Sequence, residues 1–210
     1  ICGYCSTNIH IEQFSSIKQL IEGVEIELIG IDTLSHDLAL IYPHIAKNQL
    51  GVEIDTNQFF DIEDFVKAYD ANGINAPIDC VFLHRKDEID ATSNSIHNNS
   101  VTILTGSSGI GKTRLAVEAC RVQEHKGYKV YCIRSNGNLL YEDIKFYIDN
   151  PGKYMLFLDD ANMVVSLDNV LQTLLTRPAE YEIKILITVR DYARERVIAT
   201  VSKYTAPKVI

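Results

Sequence analysis

Between residues 101 and 113 an apolar, β-branched stretch, Val101-Thr102-Ile103-Leu104-Thr105, runs straight into Gly106-Ser107-Ser108-Gly109-Ile110-Gly111-Lys112-Thr113. No other feature restricts the fold as strongly. The spacing is that of G-x-x-x-x-G-K-[ST], in which glycines let successive backbone N–H groups curl around phosphate oxygens, the lysine reaches the outer phosphates and the hydroxyl binds Mg²⁺. Beyond it, Arg114-Leu115-Ala116-Val117-Glu118-Ala119-Cys120 places apolar residues at helical spacing, so a helix N-terminus adds its dipole to the same anion site. A glycine-rich turn that merely joins strand to helix is the plainer alternative, and the strand, loop, helix order argues against it. Gly106 to Thr113, with Arg114, are therefore the expected nucleotide contacts.

The 210 residues, 46% of them hydrophobic, suffice for one large domain or for one domain and part of another. Ile1 lies within an expected strand and Lys208-Val209-Ile210 reads as the start of one, so an internal piece of a longer protein is expected. A formal net charge of −8 argues against a broad basic surface for nucleic acid. No apolar run approaches the roughly 18 residues of a membrane span, and no membrane partner is expected. Five cysteines, Cys2, Cys5, Cys80, Cys120 and Cys132, are scattered through apolar segments, which suits buried thiols in a reducing cytoplasm. Cys2 and Cys5 form a C-x-x-C pair without a second pair or histidines at ligand spacing, and read as strand cysteines rather than half a zinc site.

Residues 1–52 read as strand (Ile1 to Thr7), amphipathic helix (Ile11 to Glu22), strand (Val24 to Ile31) and helix (Leu34 to Leu50) broken at Pro43, with Gly51 as C-cap. Glu25, Glu27, Asp32 and Asp37 read as a solvated face and helix caps rather than a metal cluster. Residues 53–80 read as a helical connector, with helical periodicity from Phe59 to Tyr69, an end at Asn72-Gly73 and an extended start at Ala76-Pro77. Phe59, Phe60, Phe65 and Tyr69 are expected to form its packing face, base stacking being the other reading.

Residues 81–210 read as a parallel α/β unit. Lys129 to Arg134 is its second strand, a helix runs from about Leu139 to Asp149, and Tyr154-Met155-Leu156-Phe157-Leu158 is a central strand ending in Asp159-Asp160. In such sheets ligands bind outside the carboxyl ends of the strands, so Asp159 is expected to orient Mg²⁺ and Asp160 to orient or deprotonate the attacking water. Capping of the next helix is the alternative for both. Residues 166–177 read as an amphipathic helix, and the strand Ile183 to Asp191 ends in Thr188-Val189-Arg190-Asp191. An arginine there suits the charge that develops on a transferred phosphoryl group.

Over residues 81–210 these motifs resemble the STAND class of P-loop ATPases, the NACHT and NB-ARC proteins and their relatives. Phe82-Leu83-His84-Arg85 resembles the class's F-x-G-R-E adenine-wrapping segment, with His84 where glycine usually stands, and Thr188-Val189-Arg190-Asp191 resembles its T-x-R-D sensor. The resemblance implies an ATP- and Mg²⁺-dependent switch in which Lys112, Asp159, Asp160 and Arg190 serve hydrolysis and Thr113 and Asp159 hold the metal. By the same resemblance Arg85 and Thr188 join the nucleotide contacts. ATP is preferred because no N-K-x-D-like guanine signature occurs.

Thr7-Asn8 and Glu25-Ile26-Glu27-Leu28-Ile29-Gly30 resemble the closing part of restriction-endonuclease-like domains, whose cleavage residues come from earlier strands. The fold class expected is thus a truncated AAA+/STAND-like P-loop NTPase (81–210), preceded by a partial endonuclease-like α/β unit (1–52) and the connector (53–80). The resemblance further implies an antiviral-type protein: a C-terminal region senses a trigger, ATP-bound protomers self-oligomerise, and an N-terminal effector that meets nucleic acid is switched on. An AAA+-like motor or loader and a non-hydrolysing nucleotide-binding scaffold are the rival readings.

Overall fold

Period-two alternation along Tyr154 to Leu158 divides the core of the larger unit. In the computed structural model, which describes residues 2–4, 15–16, 27–52, 56–71, 77–79, 82 and 85–210, this segment is the buried middle of a strand. Tyr154, Leu156 and Leu158 face one apolar layer and Met155 and Phe157 the other. The chain divides into two compact units, Ile1–Thr56 and Asn57–Ile210.

In the first unit, β1 (Cys2–Tyr4) pairs in parallel with β2 (Glu27–Ile29), Gly3 lying opposite Leu28. Parallel neighbours require a crossover, as the strand, helix, strand reading expects. Of the expected helix from Ile11 to Glu22 only Ser15 and Ser16 are described, both helical. Thr7-Asn8 and Glu25 also lie outside the described residues, as does Cys5. The expected long helix is two, α1 (Ile31–Leu40) and α2 (Pro43–Leu50). Proline ends the first because it cannot donate within a helix, and opens the second at a position where no donor is needed. Gly51 closes α2 in the left-handed region at φ 67°, its N–H donating to the Lys47 carbonyl. Asp32 lies in the first turn of α1, whose N-cap is Gly30.

The second unit is built on a six-stranded sheet. It comprises β3 (Phe59–Phe60), β4 (Val101–Gly106), β5 (Lys129–Arg134), β6 (Gly152–Asp159), β7 (Tyr181–Arg190) and β8 (Lys208–Val209), in the order β3-β5-β6-β7-β4-β8. All neighbours are parallel except β3, which runs antiparallel along β5. One face carries α3 (Ile62–Asp70), α4 (Lys86–Asn98) and α5 (Lys112–His125), packed on Leu104, Cys132, Met155, Phe157 and Leu186. The other carries α6 (Tyr141–Tyr147), α7 (Leu167–Leu175) and α8 (Arg194–Val201), packed on Ile103, Ile133, Leu156, Leu158 and Ile187. Helices on both faces explain why the central strands read as unbroken apolar runs.

The helical reading of Phe59 to Tyr69 is corrected at its start. Phe59 and Phe60 are an edge strand opposite Ile133 and Cys132, and the helix begins only after Asp61, whose carboxylate caps it by accepting from the Asp64 N–H at 2.8 Å. Phe59 and Phe65 are buried, as a packing face requires. Asn72-Gly73 and Ala76 lie outside the described residues, and so do Cys80, Leu83 and His84. α6 is shorter than the expected 139–149 and α7 shorter than 166–177, whereas β6 and β7 each begin two residues earlier than their apolar runs suggest. The short α8 was not expected at all.

Phe157 is fully buried, its ring 5.6 Å from that of Phe65 at an edge-on angle of 69°. Phe157→Ala is expected to destabilise the protein by about 3–5 kcal/mol, measured by urea unfolding. A cost below about 1 kcal/mol would place the core elsewhere.

Candidate functional site

The loop after β4 turns on glycines. Gly106 has φ 145°, and a Cβ there would meet the Ile110 side chain at 2.3 Å; Gly111 has φ 91°, and a Cβ there would meet Arg85 Nη1 at 2.9 Å. Only glycine serves at either position. α5 starts at Lys112, so its first-turn N–H groups lie at the loop. Lys112 Nζ donates to the loop's own carbonyls, Gly106 O at 2.7 Å and Ser107 O at 2.8 Å, which holds the ammonium against the loop. Ser107 Oγ donates to Asp191 Oδ2 at 3.1 Å, tying the loop to the turn after β7.

Sheet order and register bring the remaining groups to this loop. β7 lies between β4 and β6, with Thr188 opposite Leu104 and Arg190 opposite Gly106, while Arg134 at the end of β5 stands opposite Asp159. Asp159 Oδ1 accepts from Thr113 Oγ1 at 2.9 Å and from Thr188 Oγ1 at 2.8 Å. Burial pushes the Asp159 carboxyl above its ordinary range; the two threonine hydrogen bonds and Arg134 pull it down, and the neighbouring Asp160 charge pushes it up.

Asp160 adopts the left-handed conformation at φ 51° and its N–H donates to Thr188 Oγ1 at 2.9 Å. Its carboxylate is gripped by Arg190, whose Nε lies 3.2 and 3.1 Å from the two oxygens and whose Nη2 lies 2.8 Å from Oδ2. Such fork geometry is the strong form of the pair.

A cavity of about 560 Å³ opens among these groups, within the range of small-molecule sites. Ser108, Gly109, Gly111, Lys112, Thr113, Arg114, Asp159, Asp160, Thr188 and Arg190 all line it. Gly106, Ser107, Ile110 and Arg85 stand outside the lining. Arg85 instead donates to the Ile110 carbonyl at 3.2 Å and pairs with Glu88. Arg114, the first residue after the motif, donates to the Ile78 carbonyl, pairs with Glu118 at 3.0 Å and lies 5.5 Å over the Phe82 ring.

Tyr69, Pro77, Ile78, Arg134, Ser135 and Met163 also line the cavity; none is among the site residues expected from the sequence, where Tyr69 reads as part of a packing face with base stacking as the other reading. Arg134 was findable, since it closes a parallel strand at the carboxyl edge where ligands bind. Tyr69 gave no such signal, because an aromatic at helical spacing reads as core. Burial and the Asp159 charge push the Tyr69 hydroxyl above its ordinary value, with a hydrogen bond to Thr113 and the charge of Arg134 opposing.

Residues 83–207, more than half of the chain, match the family Novel STAND NTPase 3. The chain belongs to that family. As an nSTAND3 protein it is an NTPase of the P-loop kind, which accounts for the loop, the strand-end carboxylates and the sheet order together. Among solved structures it is similar to Hsp104 in a closed state with ATPγS and casein, at 14% identity and a TM-score of 0.51, over 74% of this chain and 30% of that one. It is also similar to the Aeropyrum pernix ORC1 protein in complex with DNA, at 15% identity and a TM-score of 0.46, over 74% of this chain and 50% of that one. The chain thus spans no more than half the length of either. The Hsp104 likeness supports the fold, a mostly parallel sheet like that of AAA+ P-loop ATPases. No curated protein matches the sequence. Among the described residues no helix is long and apolar enough to cross a membrane.

A carboxyl raised by burial binds its proton more readily folded than unfolded, so it lowers stability as pH rises from the unfolded value through the raised folded one. Asp159→Asn keeps an oxygen for both threonine hydroxyls and removes that charge. Without nucleotide and Mg²⁺ it is expected to unfold at an equal or higher temperature than wild type at pH 7.5, and to lose part of the wild-type fall in stability between mildly acidic and neutral pH. Calorimetry at both pH values checks this, and a clear drop in melting temperature contradicts it.

Proposed function

We propose that this nSTAND3 chain binds and hydrolyses ATP with Mg²⁺ and works as a nucleotide-controlled switch. The observation that carries the reading is the meeting of Thr113 and Asp159, a loop hydroxyl and a strand-end carboxylate brought within 2.9 Å beside the glycine loop. These are hard oxygen donors of the kind Mg²⁺ takes when a nucleotide supplies the rest. Backbone N–H groups of the loop and α5, with Lys112, suit the phosphates, and the two sets line one cavity.

Held by Thr113 and Asp159, Mg²⁺ would offset the charge of the phosphoryl group being transferred. Lys112 exchanges its loop carbonyls for the outer phosphates. Arg190, opposite the first glycine of the loop, answers the terminal phosphate, and once drawn toward it releases Asp160 to orient the attacking water. Thr188 holds Asp159 and the Asp160 backbone in place. Arg85 acts through the loop, at the Ile110 carbonyl, and Arg114 steadies the wall at Ile78.

In the switch reading, ATP favours an oligomeric state reached when a trigger is recognised elsewhere in the protein, since a nucleotide that bound both states equally would shift nothing. The parallel β1–β2 pair supports reading residues 1–52 as part of a restriction-endonuclease-like effector of an antiviral-type protein, through which nucleic acid would be met. Of the segment 53–80, expected as a connector to an NTPase unit of 81–210, β3 and α3 belong to the NTPase unit itself. The buried thiols of Cys120 and Cys132 support a cytoplasmic setting.

Lys112→Ala is expected to lower ATP affinity at least tenfold, about 1.4 kcal/mol, in calorimetric titration of the full-length protein; unchanged affinity overturns the phosphate-loop assignment. Asp160→Asn is expected to slow phosphate release while leaving ATP bound and to accumulate triggered oligomers, whereas Arg190→Ala yields few. Light-scattering sizing with ATP, Mg²⁺ and trigger, beside a phosphate-release assay, separates the two. Loss of function in both variants alike is the outcome for a motor and contradicts the switch.

A further inference from the structure

α3 reaches the nucleotide cavity by way of one side chain. Tyr69, in its last turn, lines the cavity together with Lys112, Thr113 and Asp159. The ring is fixed from two sides: Phe65 lies 6.0 Å away between centroids, and the Arg134 guanidinium stands 6.0 Å over its face. Arg134 Nη1 also donates to the Ala68 carbonyl at 3.5 Å, so the residue opposite Asp159 in the sheet grips the end of this helix as well.

The following residue completes a second link. Asp70 accepts from the backbone N–H groups of Ile78 at 2.8 Å and Asp79 at 3.0 Å, and the Ile78 carbonyl accepts from Arg114, next after Thr113 in sequence. The end of α3 is therefore joined to the site twice, through Arg134 on the carboxylate side and through Ile78 and Arg114 on the loop side. The Tyr69 hydroxyl is hydrogen-bonded to Thr113 and feels the Asp159 charge, which places it among the would-be metal-holding groups; phenylalanine would keep the ring contacts and lose this one.

We propose that Tyr69 is a nucleotide-contacting residue, its hydroxyl adding a hydrogen bond at the metal-bearing end of Mg·ATP, and that through it binding orders α3 and the 77–79 turn. The inference rests on the ATP reading and deepens it. Because Tyr69 lines the cavity with Thr113 and Asp159, the two residues that would hold the metal, and its hydroxyl is hydrogen-bonded to Thr113, its contribution depends on the metal.

The test is Tyr69→Phe in the full-length protein, which keeps the ring, the Phe65 contact and the Arg134 contact. Calorimetric titration with ATP is expected to show about fivefold weaker binding than wild type in Mg²⁺ and binding within about twofold of wild type in EDTA. Amide hydrogen exchange of residues 62–71 and 77–79 is expected to slow when Mg·ATP binds wild type, and to slow much less at saturating Mg·ATP in the variant. Equal affinity in Mg²⁺ with equal protection overturns the inference while leaving the ATP reading intact. Equal weakening with and without Mg²⁺ assigns Tyr69 a merely structural role and overturns it too. Failure of wild type to bind ATP overturns both.

Discussion

Two threonine hydroxyls meeting one carboxylate oxygen hold the candidate site together. Thr113 comes from the start of α5 and Thr188 from β7, and both donate to Asp159 Oδ1 at the end of β6. β7 is inserted between the loop-bearing strand and the carboxylate-bearing strand, so Thr113 reaches Asp159 from the loop side while Thr188 reaches it from the adjacent strand. The same hydroxyl accepts from the Asp160 N–H. That second bond fixes the left-handed turn which presents the Asp160 carboxylate to Arg190, so one side chain sets the position of two acids with different proposed work.

The electrostatics follow from this construction. A buried carboxylate is costly unless hydrogen-bonded, and Asp159 is raised by burial even with its two threonine partners and Arg134 opposing. Such a group gains most from a nearby cation, which is the expected state of an acid built to work with a metal rather than for stability. Asp160 is in the opposite situation, already matched by a bidentate arginine on a more open surface. To act on water it must exchange that partner, and a terminal phosphate is the anion able to take the arginine from it.

Much of the NTPase unit was legible because its signals are local. The loop from Gly106 to Thr113 is dictated by backbone freedom at fixed spacing, and β6 and β7 announce themselves as apolar runs ending in charge, which is what strands buried on both faces must do. Asp159 and Asp160 are expected at the site by the rule that strand ends face the ligand, and Thr188 and Arg190 by resemblance to the T-x-R-D sensor; all four line the cavity. What stayed hidden depends on partners remote in sequence. Phe59 and Phe60 fit helical periodicity and became a strand only because β5 offers an open edge; Tyr69 fits a packing face and lines the cavity because Arg134, from the distant β5, stands over its ring. The mutual pairing of Asp160 with Arg190 was likewise unreadable, since each carried a convincing separate role.

The central claim is that loop, hydroxyl and carboxylate form one Mg²⁺-dependent ATP site in an nSTAND3 NTPase. The most direct measurement is calorimetric titration of the wild-type full-length protein with ATP, first in Mg²⁺ and then in EDTA, with GTP as competitor. The account predicts one ATP per chain, tighter binding in Mg²⁺ than in EDTA, and weak displacement by GTP. Binding that is indifferent to Mg²⁺, or no binding at all, would contradict it.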